Sequence, residues 1–119
     1  MALTHDQVLN EMKEEDVVLL NILPAVEYRK LHIKGSFNVP LKDDPVAFIN
    51  AVEEQHGQDK FFIPYGSGAD SPLSMEAARI LRRNGFEAEE FPGGLREWAG
   101  AGLPLDGTLS GKAKTAVFH

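Results

Sequence analysis

The residues best placed to do chemistry lie in one short segment, Gly66-Ser67-Gly68-Ala69-Asp70-Ser71. It follows an apolar run, Phe61 to Tyr65, and leads into Ser71-Pro72, a helix-start pattern with serine as N-cap and proline at the first helical position. Amide N–H groups in such a glycine-rich curve, aligned with a helix N-terminus, form a cradle for an anion. The same field would acidify a thiol at the start of the curve. That start, position 66, is glycine, and the 119-residue chain contains no cysteine. The segment has no Arg or Lys, and Asp70 adds negative charge, so an anion would be held weakly. A plain strand-to-helix turn built from small residues explains the same composition.

Other reactive residue types are dispersed. Ser67 and Ser71 carry hydroxyls, and His32 is the histidine nearest a strand end. A Ser–His pair requires hydrogen-bond reach and a third group to orient the base. No nucleophile-elbow pattern surrounds either serine, Ser71 is accounted for as a cap, and His32 reads as a histidine that fixes its own loop. His5, His56 and His119 are scattered without metal-ligand spacing, so no metal site and no cofactor are expected. Adjacent acidic pairs such as Asp43-Asp44, Glu53-Glu54 and Glu89-Glu90 cannot face each other across a substrate and read as solvated surface. Trp98 beside Leu95 reads as core. The missing cysteine removes disulfides, thiolate metal sites, iron–sulfur ligation and thiol nucleophiles together.

The elements that position the segment follow from hydrophobic pattern. Thr4-x-x-Gln7 is a capping box opening a helix over His5 to Lys13, with Val8, Leu9 and Met12 as its apolar face. Val17 to Ile22 and Phe61 to Tyr65 are continuous apolar runs, the pattern of strands buried on both faces. Pro64 lacks a ladder donor, so pairing there must be irregular or one-sided. Pro24 to Leu31 reads as a short helix with proline first, and Gly35 to Pro40 as a short strand. Asp43/Asp44-Pro45 opens a helix that Gly57 stops near His56, with Phe48, Ile49 and Val52 inward. The helix after Ser71 runs to Arg83 with Leu73, Ala77, Ile80 and Leu81 inward, capped by Asn84-Gly85. Phe86 to Phe91 is a last strand, and Pro92-Gly93-Gly94 turns into a helix bearing Leu95 and Trp98. This alternation argues for a mostly parallel sheet covered on both faces, with ligands at the carboxyl ends of its strands, where the Gly66–Ser71 segment falls.

The net charge of −6, with no basic cluster, argues against nucleic-acid binding. No apolar run has membrane length, and the polar start is unlike a signal peptide, so the expected location is cytoplasmic. One domain is expected over residues 1–106. Residues 107–119, including Ala116-Val117-Phe118, are expected to form a poorly ordered tail or an added edge element.

The chain resembles a rhodanese domain along nearly all its length. Val18 to Pro24, Glu27-Tyr28 and His32-Ile33-Lys34-Gly35-Ser36-Phe37-Asn38-Val39-Pro40 are similar to the family's opening motif. Tyr65 through Ser74, Ala77-Ala78, Leu81, Gly85-Phe86 and Gly93-Gly94-Leu95 with Trp98, Ala101-Gly102-Leu103-Pro104 are similar to its closing signature. The resemblance implies a rhodanese-like α/β fold, a central, mostly parallel five-stranded sheet with helices on both faces. In the family's enzymes a cysteine after the central strand takes sulfur from a donor as a persulfide and hands it to an acceptor. That position is Gly66 here, and a second cysteine of some members falls on Ser71. The family's frequent loop Arg is missing, and its common Asp-x-Arg is Asn21-Ile22-Leu23. Persulfide chemistry needs a polarizable sulfur with a pKa of about 8.5 or lower, which neither glycine nor serine supplies.

Three readings follow. The first is a rhodanese-like domain without sulfurtransferase activity, acting as a binding or regulatory module for a protein or a small anionic ligand through the active-site-like loop Gly66, Ser67, Gly68, Ala69, Asp70 and Ser71. The second is thiosulfate sulfurtransferase activity belonging to a natural chain with cysteine at position 66. The third is an enzyme using Ser67 or Ser71.

Overall fold

A computed structural model describes residues 2–110. Its elements, in chain order, are α1 (His5–Glu11), β1 (Val17–Asn21), α2 (Ala25–Lys30), β2 (His32–Ile33), β3 (Phe37–Asn38), α3 (Pro45–His56), β4 (Phe61–Tyr65), α4 (Leu73–Arg83), β5 (Glu87–Ala88), α5 (Gly94–Gly100) and β6 (Leu105–Asp106). The main sheet is parallel, with strand order β3-β1-β4-β5. It has four strands, not the expected five: β2 and β6 leave it and pair antiparallel as a separate ribbon, Ile33 opposite Leu105.

The sheet is covered on both faces, and side-chain alternation decides which residue serves which. Val18, Leu20 and Phe62 pack with Phe48, Ile49 and Val52 of α3 and Ala77, Ala78 and Leu81 of α4. Leu19, Ile63 and Tyr65 pack on the other side with Val8 of α1 and Trp98 of α5. β1 and β4 therefore need apolar residues at consecutive positions, the origin of their unbroken runs.

Pro64 sits where its missing donor does least harm. Phe62 and Pro64 give their carbonyls to the β5 side, to Glu89 N at 3.1 Å and Phe91 N at 3.0 Å. The amide that Pro64 lacks would face the same side, where the ladder lapses after Ala88 and resumes only as a bridge between Tyr65 and Phe91. The expected strand Phe86–Phe91 is accordingly reduced to Glu87–Ala88.

Several boundaries move. α1 has the capping box but ends at Glu11, and Leu9 is exposed rather than part of its apolar face. Pro24 is the N-cap of α2, its carbonyl accepting from Glu27 N and Tyr28 N. Only Phe37–Asn38 of the strand expected over 35–40 pairs with β1, because Gly35 (φ +91°) and Ser36 form a turn closed by Ser36 N donating to Ile33 O. Asp44 caps α3 as expected, and Gly57 ends it at φ +74°. Pro72, not Ser71, occupies the cap position of α4. After β6, Thr108 N and Leu109 N donate to Arg29 O and Lys30 O, so the first tail residues cap the carbonyl end of α2. Ala116-Val117-Phe118 lies outside the described residues. No helix among the described residues is long and apolar enough to cross a membrane.

Candidate functional site

The segment 66–71 leaves the carboxyl end of β4 and is tied down from α5. Leu95 N donates to Gly66 O at 3.0 Å, and Arg96 N donates to Ser67 O at 2.9 Å. These are first-turn amides, groups with no partner inside their own helix. The close approach explains the Gly93-Gly94 pair. Gly94 has φ +56°, and a β-carbon there would overlap the Gly66 carbonyl oxygen and stand 3.2 Å from Gly68 N. A β-carbon on Gly93 would overlap the Glu97 carboxylate, which curls back over it. Ser71 N donates to Gly68 O at 3.1 Å and closes the turn.

Gly66 differs from these glycines. It is buried, its φ lies outside the positive range, and a β-carbon there would meet nothing within 4 Å. Neither backbone conformation nor packing requires glycine at this position. Gly68 is also buried, whereas Ser67, Ala69 and Asp70 are exposed and Ser71 is half-buried. Among the described residues no acceptor takes the amides of Ser67, Gly68, Ala69 or Asp70. The cation that the segment lacks arrives from α5, where Arg96 Nη1 stands 3.9 Å from Asp70 Oδ2. Sequence spacing carried no sign of that pair.

Below the segment lies a buried polar cluster built around Tyr65, the residue before Gly66. The Tyr65 hydroxyl accepts from Asn21 Nδ2 at 2.8 Å and from Ile33 N at 3.0 Å. It lies 2.8 Å from Ser36 Oγ, which donates its own proton to Ile33 O at 2.7 Å. Tyr65 is therefore the donor to Ser36, and every group in the set is satisfied. Asn21 Oδ1 accepts from Leu23 N, and Asn38 Nδ2 donates to Asn21 O and Leu23 O. Burial pushes the Tyr65 hydroxyl up to about 12, against the pull of its hydrogen bonds from Asn21 and Ile33. This cluster locks the ends of β1 and β4 to the β2 turn. Its sequence signal was Asn21, a polar residue ending an apolar strand.

The remaining candidates are separated from the segment. His32 Nδ1 donates to Tyr28 O at 2.6 Å, and its ring stacks on Tyr28 with centroids 3.7 Å apart. No hydrogen bond joins it to Ser67 or Ser71. Ser71 Oγ accepts from Leu73 N at 3.4 Å, so the serine still serves the helix start from one residue before the cap. His5 binds Glu97 Oε2 through both N and Nδ1 at 2.8 Å, pinning α1 to α5. Trp98 is core, with Nε1 donating to Pro104 O at 2.9 Å. Among the described residues no group of three or more His, Asp or Glu gathers to hold a metal ion.

Comparison with known proteins agrees with this architecture. The family model described as "Rhodanese-like domain" matches residues 4–101. The HTH-type transcriptional regulator Rv0324 of Mycobacterium tuberculosis is 31% identical over 105 residues, which cover 88% of this chain and 44% of that protein. The uncharacterized protein YibN of Escherichia coli is 31% identical over 107 residues, 87% of this chain and 71% of that one. The chain thus spans less than half of the first relative's length. Among solved structures, BH2092 of Bacillus halodurans superposes with a TM-score of 0.80 at 20% identity, covering 99% of this chain and 83% of that one. A Lactobacillus plantarum protein gives 0.73 at 29% identity, covering 88% and 87%. The chain belongs to the rhodanese-like domain family, and it lacks that family's active-site cysteine.

Proposed function

We propose that this chain is a catalytically silent rhodanese-like domain that works as a binding or regulatory module, with Gly66 at the position of the sulfur-carrying cysteine and the loop Gly66–Ser71 as its recognition surface. The observation carrying this reading is the room at Gly66, where a side chain would enter open space and the backbone is one any residue adopts. The surrounding loop keeps the anchoring that a reactive side chain would need, while the chain has no sulfur nucleophile to place there. Two ligand classes fit: a protein surface, or a small anion received by the unpartnered amides of Ser67 to Asp70. Asp70 opposes the anion, and its ion pair with exposed Arg96 offsets that only in part. Serine catalysis finds no support, since His32 is held by Tyr28 and Ser71 by Leu73.

The test is a thiosulfate:cyanide assay on the purified chain. The reading expects no thiocyanate above the uncatalysed blank, and sustained turnover overturns it. Sulfur transfer by a natural chain with cysteine at position 66 is the alternative, which the coding sequence decides.

A further inference from the structure

The first helix is fastened to the parts of the fold that hold the loop. α1 has 7 residues and buries only Val8 among them. A helix so short is marginal on its own in water, so docking keeps it formed. Val8 shares a core cluster with Phe91, Leu95 and Trp98. Leu3 N, just before α1, donates to Glu90 O at 2.9 Å, and the neighbouring Phe91 bridges to Tyr65, the residue before Gly66.

The polar fastening is Glu97. Its Oε2 accepts from His5 N and lies equally close, at 2.8 Å, to His5 Nδ1. Hydrogen bonds to a carboxylate are roughly twice as strong as neutral ones. The His5 and Glu97 side chains are 32% and 35% exposed, so water competes for the contact only in part. The same carboxylate folds back over Gly93, where a β-carbon would overlap it, and Gly93 is the N-cap of α5. The amides that follow, Leu95 N and Arg96 N, hold Gly66 O and Ser67 O. A continuous path of contacts thus runs from α1 through Glu97 to the loop. Opening it need not disturb the sheet. Val17–Asn21 pairs along the whole of Phe61–Tyr65 and is packed on both faces, and terminal segments open at far lower cost than core strands.

We infer that α1 is a releasable latch on the recognition loop. Docked, it holds the first turn of α5 against Gly66 and Ser67 through Glu97, which is the positioning residue. Released, it lets that turn and the loop open together while the sheet stays closed. A ligand that favours the closed loop therefore tightens α1, and whatever draws α1 away loosens the loop. The inference deepens the binding-module reading by giving its loop a means of regulation, and rests on that reading for its biological sense. The two fail separately, because thiocyanate formation reports on position 66 and amide exchange reports on the latch.

The test is native-state hydrogen exchange, followed by NMR on the ¹⁵N-labelled full chain in low urea. Val8 N and Met12 N, bonded to Thr4 O and Val8 O, and Leu95 N and Arg96 N, which hold the loop, are expected to exchange through one opening. Its urea dependence is shared by both pairs and smaller than that of Leu19 and Ile63 in the sheet. Thr4→Ala removes the α1 cap at an exposed position whose side chain bonds to Gln7. It is expected to quicken exchange at both pairs of amides about fivefold, the effect of one lost helix cap. Glu97→Gln, which keeps an acceptor and loses the charge, is expected to quicken the same amides. Faster exchange at one pair with the other unchanged, in either variant, would overturn the inference. So would no change at any of these amides, or a urea dependence at Leu95 and Arg96 equal to that of the sheet.

Discussion

Gly94 and Gly66 touch through the backbone: at φ +56°, Gly94 lets the first turn of α5 close on the Gly66 carbonyl, and no β-carbon fits between them. The two glycines stand under opposite constraints. At 94 the fold demands glycine, whereas at 66 it does not. Gly94→Ala should destabilise the chain by about 2 kcal/mol or more, from the left-handed conformation and the overlap together. Gly66→Ala should leave stability unchanged or raise it by up to about 1 kcal/mol, since it restricts the unfolded chain without straining the folded one. Urea denaturation of both variants measures the contrast, and equal losses at the two sites would contradict it.

Tyr65→Phe removes one oxygen and strands two buried donors, Asn21 Nδ2 and Ile33 N. Each unsatisfied donor costs about 1–3 kcal/mol, so a loss of about 2–6 kcal/mol is expected in equilibrium unfolding. A loss under about 1 kcal/mol would mean that water or a rearranged Asn21 replaces the hydroxyl.

The same hydroxyl sets an alkaline limit. Its value is raised from 10.0 to about 12 by burial, so the folded state favours the protonated phenol. Its contribution to stability is complete below pH 10 and is lost as pH rises from there towards about 12. Absorbance titration of the native chain should show the Tyr65 phenolate only near that upper value, and Tyr65→Phe should lose the matching part of the alkaline destabilisation. Ionisation of Tyr65 at pH 10 in the folded chain would contradict the burial.

His56 sets an acid limit. Its ring lies 5.1 Å from that of Phe37 and 6.1 Å from that of Phe62, with Nε2 buried and unpartnered. Burial lowers its value below 6.5, and Lys60 adds repulsion. Protons then bind the unfolded chain more readily, so this contribution is complete above pH 6.5 and falls as pH drops below it. Urea midpoints should decline as pH falls below 6.5, and His56→Phe should flatten that decline. An identical decline in the variant would assign the effect to other groups.

Much of this was legible in the sequence because it is local. Thr4 and Gln7 announced the first helix, Asp44 and Gly57 bracketed the third, and Pro64 announced the broken ladder beside it. The apolar runs at 17–22 and 61–65 disclosed strands buried on both faces. What escaped depends on contacts distant in the chain. Leu105–Asp106 pairs with His32–Ile33 rather than extending the sheet, and no local pattern distinguishes those outcomes. Arg96 reaches Asp70 from 26 positions away, and Tyr65 gathers Asn21 from the end of β1 and Ile33 and Ser36 from β2 and the turn after it. Within the candidate site, the segment and the anomaly at 66 were visible, but the clamp from α5 and the open space above Gly66 needed coordinates.

We propose that position 66 stands where the family's enzymes carry their sulfur-bearing cysteine, with the surrounding loop kept and the sulfur absent. Mass spectrometry after incubation with thiosulfate tests it on this chain and on its Gly66→Cys variant. The expected result is that the Gly66 chain takes up no sulfur, and that the variant gains one sulfane sulfur on the new thiol with release of sulfite. Sulfur on the Gly66 chain, or a folded variant that acquires none, would contradict it.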